Sequence, residues 1–215
     1  MQLKNKFGFT LVEMAIVLVI IGLLISAFLT PLTAQLEQNR NAEARRDLAE
    51  IKEALLGFAV INGRLPCPDT TGDGVEDACV NTNVTATTGG NVPWVTLNTN
   101  QFDPWQRRYQ YRVNNGFTGA FLLSTSGGGQ GIIKVCTTNS CAITEASNVP
   151  FVVLSTGQNG AVLPPVNADE QENIDGDRDF VSRDFSNVAG GFDDILVWAS
   201  TNVLMNRMVT AGRLP

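Results

Sequence analysis

The sequence predicts an α+β protein in which a long N-terminal helix packs on an antiparallel sheet. Three observations predict it. Residues 9–29 are almost unbroken apolar residues. From Leu36 to Phe58 the apolar residues recur at helical spacing. From Arg108 onward, short β-branched or aromatic runs are separated by turn formers.

The apolar run comes first. Phe9 to Leu29 is 21 residues, and Glu13 carries its only charge. A bilayer core takes about 20 apolar residues in helical form, so the run is long enough to span. Lys4 and Lys6 precede it and place the N-terminus on the cytoplasmic side. An acid at the centre of a spanning helix costs roughly 2.5–3.5 kcal/mol on insertion scales, and such residues are usually paired or functional. Glu13 lies one turn from the start, where the cost is smaller. A free α-amino group at Phe9 would be four residues away on the same helical face. That geometry requires a cut between Gly8 and Phe9, and in an assembly the amine can belong to a neighbouring subunit. An ordinary signal peptide fits less well. A cut after Ala34 puts Leu32 at position −3, and a cut after Ala27 puts Ile25 there, where a small residue is needed. The plain alternative is an uncut membrane anchor.

Gly8-Phe9-Thr10-Leu11-Val12-Glu13 resembles the prepilin peptidase signal of type IV pilins and type II secretion pseudopilins. The resemblance implies a pilin-like fold, cleavage after Gly8, methylation of the Phe9 amine and retention of the apolar helix. It implies that Glu13 pairs with the N-terminus of an adjacent subunit in a helical filament. The partners it implies are other pilin or pseudopilin subunits, the prepilin peptidase, the membrane and an inner-membrane assembly platform. The expected organisation is a leader at 1–8, a transmembrane and filament-core helix at 9–30, an amphipathic continuation at 31–62, and a periplasmic head at 63–215.

Beyond Pro31 the helix turns amphipathic. Leu36, Ala44, Leu48, Ile51, Leu55 and Phe58 form a stripe, while Glu37, Arg40, Glu43, Arg45, Arg46, Asp47, Glu50, Lys52 and Glu53 supply polar faces. Asn62-Gly63 and then Pro66 end it near Ile61. Gly22 and Pro31 are the points where it is expected to bend or loosen. Residues 63–105 read as a loop, with the stretch 82–91 mobile. Strands are expected at 108–114, 119–124, 132–137, 151–155 and 195–199, with Gly127 to Gly131 as a hairpin connection. That glycine run lacks the Gly-Lys-Ser/Thr ending of a phosphate cradle. Thr201 is expected to cap a last helix that puts Leu204, Met208 and Ala211 on one face, with Gly212 after it.

Charge and composition exclude several function classes. The chain has 15 basic and 21 acidic residues. A cut after Gly8 leaves 207 residues, with 13 basic against 21 acidic, a side-chain balance of −8. Nucleic-acid binding would call for a basic patch. The chain has no histidine, the commonest general base and zinc ligand. Ser124 and Ser155 therefore lack an activating imidazole, there is no Gly-x-Ser-x-Gly elbow, and the many carboxylates sit in glycine-rich turns. An enzyme is not expected, and an exported membrane-anchored hydrolase is the remote alternative.

Cys67, Cys79, Cys136 and Cys141 all follow the apolar run. An even count in an exported domain favours disulfides over a metal site, since neither pair has two-residue spacing. Of three possible pairings, Cys67–Cys79 and Cys136–Cys141 each close a short loop rich in turn formers.

Asp175-Gly176-Asp177-Arg178-Asp179 puts carboxylates at alternating positions, and Asp193-Asp194 follows before the final strand. Hard calcium takes six to eight oxygen ligands, and such loops supply several. A full EF-hand is excluded, because Ser186 stands at the twelfth loop position. Asp69, Asp73, Glu76 and Asp77 make a further acidic loop between the first two cysteines. Three stretches are similar to major type II secretion pseudopilins: Phe102-Asp103-Pro104-Trp105 with Tyr109-Gln110-Tyr111, Leu154-Ser155-Thr156-Gly157-Gln158-Asn159-Gly160, and Asp193-Asp194-Ile195-Leu196-Val197-Trp198. In that family a calcium ion ties the loop between the last two. Carried over by position, the Leu154 carbonyl, Ser155, Asp193 and Asp194 are the implied ligands, with Asp175, Asp177 and Asp179 as the alternative or a second site. The chain departs from the pattern at Gln106, where the family has glycine, and at Asn159, where it has aspartate, and its intervening loop is longer.

The resemblance therefore implies a filament subunit of the bacterial inner membrane, with a periplasmic head that passes into a periplasmic or surface filament. The motifs at Asp103-Pro104-Trp105 and Asp194-Ile195 point to a secretion pseudopilin. Pro31, the extra cysteines and the long loops point to a major or minor pilin of a surface pilus.

Overall fold

The computed structural model describes residues 10–79, 86–119, 132–186, 188 and 190–214, and the side chains of residues 27–33 lie outside that description. The chain divides into two compact units, Met1–Asn41 and Ala42–Pro215. One helix, α1 (Leu11–Asn62), supplies residues to both. It is helical through Gly22 and Pro31, the two expected weak points.

In the first unit the helix starts at a reciprocal cap. The Thr10 amide and hydroxyl donate to Glu13 Oε2 at 2.8 and 2.9 Å, and the Glu13 amide donates back to Thr10 Oγ1 at 3.2 Å. This is a capping box, which satisfies amides that the first helical turn leaves without partners. Every described side chain from Thr10 to Ser26 is exposed. Among the described residues no helix is long and apolar enough to cross a membrane. The expected span at 9–30 reaches beyond the described side chains.

The second unit has three layers. Ala44, Leu48, Ile51, Leu55, Leu56 and Ala59 bury one stripe of α1 against the first sheet, as an amphipathic surface helix should. Gly63, at φ 72°, follows its end, where a left-handed residue lets the chain turn away. The first sheet is antiparallel throughout, in the order β1 (Thr87–Asn91), β2 (Gln110–Asn114), β5 (Phe151–Ser155), β7 (Ile195–Ala199). Tyr111 sits opposite Val153, which sits opposite Val197. Alternation along β5 separates two cores. Phe151 and Val153 join the helix-side core, while Val152 and Leu154 join a second core with Ile133, Val135, Val149 and Phe180. That second core is covered by a smaller sheet in the order β4 (Thr144–Val149), β3 (Ile133–Cys136), β6 (Asp179–Val181). Its β3–β6 pair is parallel, so the architecture is not antiparallel alone.

Several expectations need correction. The 63–105 loop contains β1 and a short helix α2 (Trp94–Leu97). Thr-Thr-Gly-Gly-Asn has no strand propensity, but it pairs with β2 from Thr87 opposite Asn114 to Asn91 opposite Gln110, and tertiary pairing overrides propensity. β4, β6 and a helix α3 (Ala168–Ile174) were not anticipated. The last helix, α4 (Thr201–Thr210), is capped by Ser200, whose Oγ accepts from the Val203 amide at 3.3 Å, while the Thr201 hydroxyl donates to the Asn148 carbonyl. Leu204 and Met208 are buried, and Ala211 is exposed. Residues 120–131, which include all but the first residue of the strand expected at 119–124 and the glycine hairpin, lie outside the described residues. Cys67 is bonded to Cys79, and Cys136 to Cys141, with Cα separations of 5.5 and 5.1 Å.

Candidate functional site

The start of β7, the turn after β5 and helix α3 bring three carboxylates together. Glu170, Asp193 and Asp194 are all buried, and each offers a carboxylate oxygen within 4.8 Å of the others. α3 forms because Asn167 caps it, its side chain accepting from the Asp169 amide at 2.9 Å, with Asp169 and Glu170 in the first turn. That cap points Glu170 inward. Its Oε1 accepts from the Asp193 amide at 2.8 Å, and its two oxygens accept from Asn159 Nδ2 at 3.1 and 2.9 Å. The Asn159 amide donates to Asp193 Oδ2 at 2.9 Å. Asn173 Nδ2 donates to Asp194 Oδ2 at 2.7 Å, and Asn173 Oδ1 accepts from the Val181 amide. Asp193 Oδ1 is buried without a hydrogen-bond partner.

Crowding of these acids shows in their titration. Burial lifts Asp193 to about 6, against the Asn159 amide, with Glu170 beside it adding to the rise. Burial lifts Asp194 to about 8, against the Asn173 amide group, with Glu170 and Asp193 adding to it. Arg107, whose charge works against the rise at Asp194, donates to the carbonyls of Gly157 and Gln158. The sequence implies calcium in this part of the chain. Three buried carboxylates, one with an unpartnered oxygen, are the donor chemistry that a hard divalent cation takes, so the residues present fit that ion.

The two other positions carried over for ligands are held by other partners. Ser155 Oγ donates to Asp103 Oδ2 at 2.6 Å, inside a buried clamp in which Asp103 Oδ1 accepts from the amides of Trp105 and Arg107 at 3.0 and 2.8 Å. Gln106 takes the family's glycine position at φ 64°. Leu154 is a mid-sheet residue, opposite Gln110 on one side and Leu196 on the other.

Asp177 and Asp179 group with Glu172, which the sequence reading did not single out, in a second and more exposed cluster. Asp175 is the C-cap of α3 and accepts from the Asp177 amide at 2.9 Å. Glu172 is held above its ordinary value by desolvation and then by Asp175, Asp177 and Asp179. In the loop between Cys67 and Cys79 the acids hold the chain's own groups. Asp69 accepts from the amides of Gly72 and Gly74, Asp73 from the amide of Val75, and Asp77 from Thr70 and Thr71; Glu76 pairs with Arg64 at 2.7 Å. Its acids brace the turn one by one and do not converge.

Gly8 and Phe9 lie outside the described residues. Glu13 is where the sequence puts it, one turn into α1, and it holds Thr10.

Two family descriptions match the chain. "Prokaryotic N-terminal methylation motif" matches residues 3–29, and "Type II secretion system (T2SS), protein G" matches residues 31–131. The chain belongs to the type IV pilin and pseudopilin family. No curated protein and no solved structure matches it significantly. This pilin-family chain is thereby placed among structural, non-enzymatic subunits of secretion-type filaments. The matched region takes in α1, the Cys67–Cys79 loop, β1 and β2. The three-acid cluster of this pilin relative lies entirely beyond residue 131.

Proposed function

We propose that this chain is a pseudopilin of a type II secretion machine, cut after Gly8 by prepilin peptidase and methylated on the new Phe9 amine. Before assembly the apolar start of α1 sits in the inner membrane, and the head sits in the oxidising periplasm, where its two disulfides persist. An assembly platform then moves the helix out of lipid and against its neighbours. The observation that carries this reading is the start of α1. Residues 11–26 present exposed apolar side chains on every face, interrupted by one charge at Glu13. A surface of that kind needs a covering of lipid or of other helices. Glu13 sets the register, because an acid left without a partner in an apolar core is unfavourable while one docked on a neighbour's amine is not.

Mass spectrometry of the mature protein should find a methylated Phe9 terminus, and an intact Met1 in peptidase-competent cells would count against the reading. Glu13→Ala should still enter the membrane yet stop helix-to-helix crosslinking between subunits. Normal filaments from that variant would remove the register role. A surface pilus is the second reading, favoured by the two disulfide-closed loops. Surface fibres lost on deletion, with secretion intact, would select it.

Calcium is the cofactor proposed for the head, with Asp193 and Asp194 among its ligands. The ion would supply positive charge where three acids meet, and Asn159 and Asn173 hold two of those acids in place.

A further inference from the structure

We propose that Glu170, carried in by α3, is a ligand of the cation site and takes the place of Leu154 and Ser155. This rests on the reading that the head holds a divalent cation near Asp193 and Asp194. It departs from that reading in which groups hold the ion.

Four observations carry it. Glu170 is 1% exposed and lies with Asp193 and Asp194, each 7% exposed. Among the described residues no lysine or arginine forms a salt bridge with any of the three. Buried carboxylates that stay charged are paired or bind a metal, and otherwise take up a proton. Second, Asp193 Oδ1 is buried and has no partner, although the carboxylate's other oxygen accepts from the Asn159 amide. Third, the Ser155 hydroxyl donates a hydrogen bond to Asp103 Oδ2 and is oriented by that clamp. Fourth, a cavity of about 250 Å³ reaches Asp193 between Gln158, Asn159, Phe185 and Gly191. Calcium takes six to eight oxygens, and a cavity of that size admits the waters that three carboxylates leave to be supplied.

Gly157 keeps the arrangement close. At φ 58° it sits so near Asp193 that an added Cβ would overlap the Asp193 carbonyl oxygen and its carboxylate. The turn after β5 therefore fixes Asp193 without lending Ser155 to the site. α3 and its cap fill the gap with a carboxylate that the motifs at 154–160 and 193–198 do not contain.

The test uses the full chain purified in detergent, stripped with a chelator and titrated with calcium chloride by calorimetry. Wild type should bind one ion at this site. Glu170→Gln keeps an oxygen acceptor for the Asp193 amide and should remain folded, with calcium affinity reduced at least tenfold. Asp193→Asn should do the same, while Asp175→Asn should leave that affinity unchanged. If Glu170→Gln fails to fold, Glu170→Asp, which keeps the charge and shortens the reach, should still weaken binding. Terbium luminescence lifetimes should show additional bound water in either Glu170 variant. Affinity within twofold of wild type in the folded Glu170 variants would overturn the proposal, as would absence of calcium binding by the wild type. The titration reads single chains, so its failure leaves the filament reading standing. A normal isotherm from a chain that never crosslinks would fail the filament reading alone.

Discussion

Gly157→Ala isolates the close approach that holds the acid cluster. Gly157 stands at φ 58°, and a Cβ there would lie 2.5 Å from Asp193 Oδ1, 2.6 Å from its Cγ, and closer still to its carbonyl oxygen. A left-handed backbone costs a non-glycine residue roughly 1–2 kcal/mol. Forcing atoms into a packed site adds typically about 1–3 kcal/mol. The expected loss is therefore roughly 2–5 kcal/mol, which for a unit of this size lowers the thermal midpoint by about 5–15 °C. Gly212 supplies the control. It stands at φ 67° with nothing within 4 Å of its would-be Cβ, so Gly212→Ala carries the backbone cost alone. The assay is thermal unfolding of both variants and wild type by circular dichroism in the same detergent and chelator. A drop for Gly157→Ala no larger than that for Gly212→Ala would refute the argument, because the overlap with Asp193 would then contribute nothing.

Leu48→Ala should cost about 2–5 kcal/mol in chemical denaturation, because Leu48 is 0% exposed in the helix-side core. Replacing Cys67 and Cys79 by serine should destabilise by about 3 kcal/mol, and replacing Cys136 and Cys141 by about 2 kcal/mol, on a chain-entropy account that scales with loop length. Their sequence separations are 12 and 5. An equal or reversed order would set that account aside. Asp77 is held below its ordinary carboxylate value by the Thr70 hydroxyl and amide and by Thr71. Its contribution to the 67–79 loop is therefore present above the ordinary aspartate value and is lost as pH falls through the lowered one. Thr70→Val should move the Asp77 titration upward in a carboxyl-carbon NMR experiment, and an unmoved curve would mean that the hydroxyl bond is absent.

The parts of the fold that were legible in the sequence share a cause. α1, β5 and β7 carry strong apolar patterns, because each contributes a full stripe or face to a core, and their bounds fall within a residue or two of the expected ones. β1 was illegible for the opposite reason. Thr87-Thr88-Gly89-Gly90-Asn91 contributes backbone pairing and little side-chain burial, and Gly90 is needed because a Cβ would sit 2.7 Å from the Asp69 carbonyl oxygen. β6 is three residues long and gains its place only by pairing with β3. At the site, Asp193 and Asp194 stood out as a pair beside a strand. Glu170 did not, because it comes from a seven-residue helix and meets them only through the fold. One local signal could have found it: Asn167 followed three residues later by Glu170, the spacing of a helix start. The bond from Ser155 to Asp103 was illegible for a related reason. Its partner Asp103 lies 52 residues away, and spacing along the chain does not reveal that the hydroxyl is already engaged.

The reciprocal bonds between Thr10 and Glu13 change what docking against a second chain can contribute. A solitary subunit does not carry a bare acid waiting for relief, since the Thr10 amide and hydroxyl already donate to one of its oxygens. A foreign ammonium that captures this carboxylate meets an acid already partly satisfied, so docking nets less than the full relief of a bare charge. In the proposed filament, cohesion would then come from the greasy surface, while the acid would act as a vernier that tells one alignment from the next and leaves the polymer able to come apart.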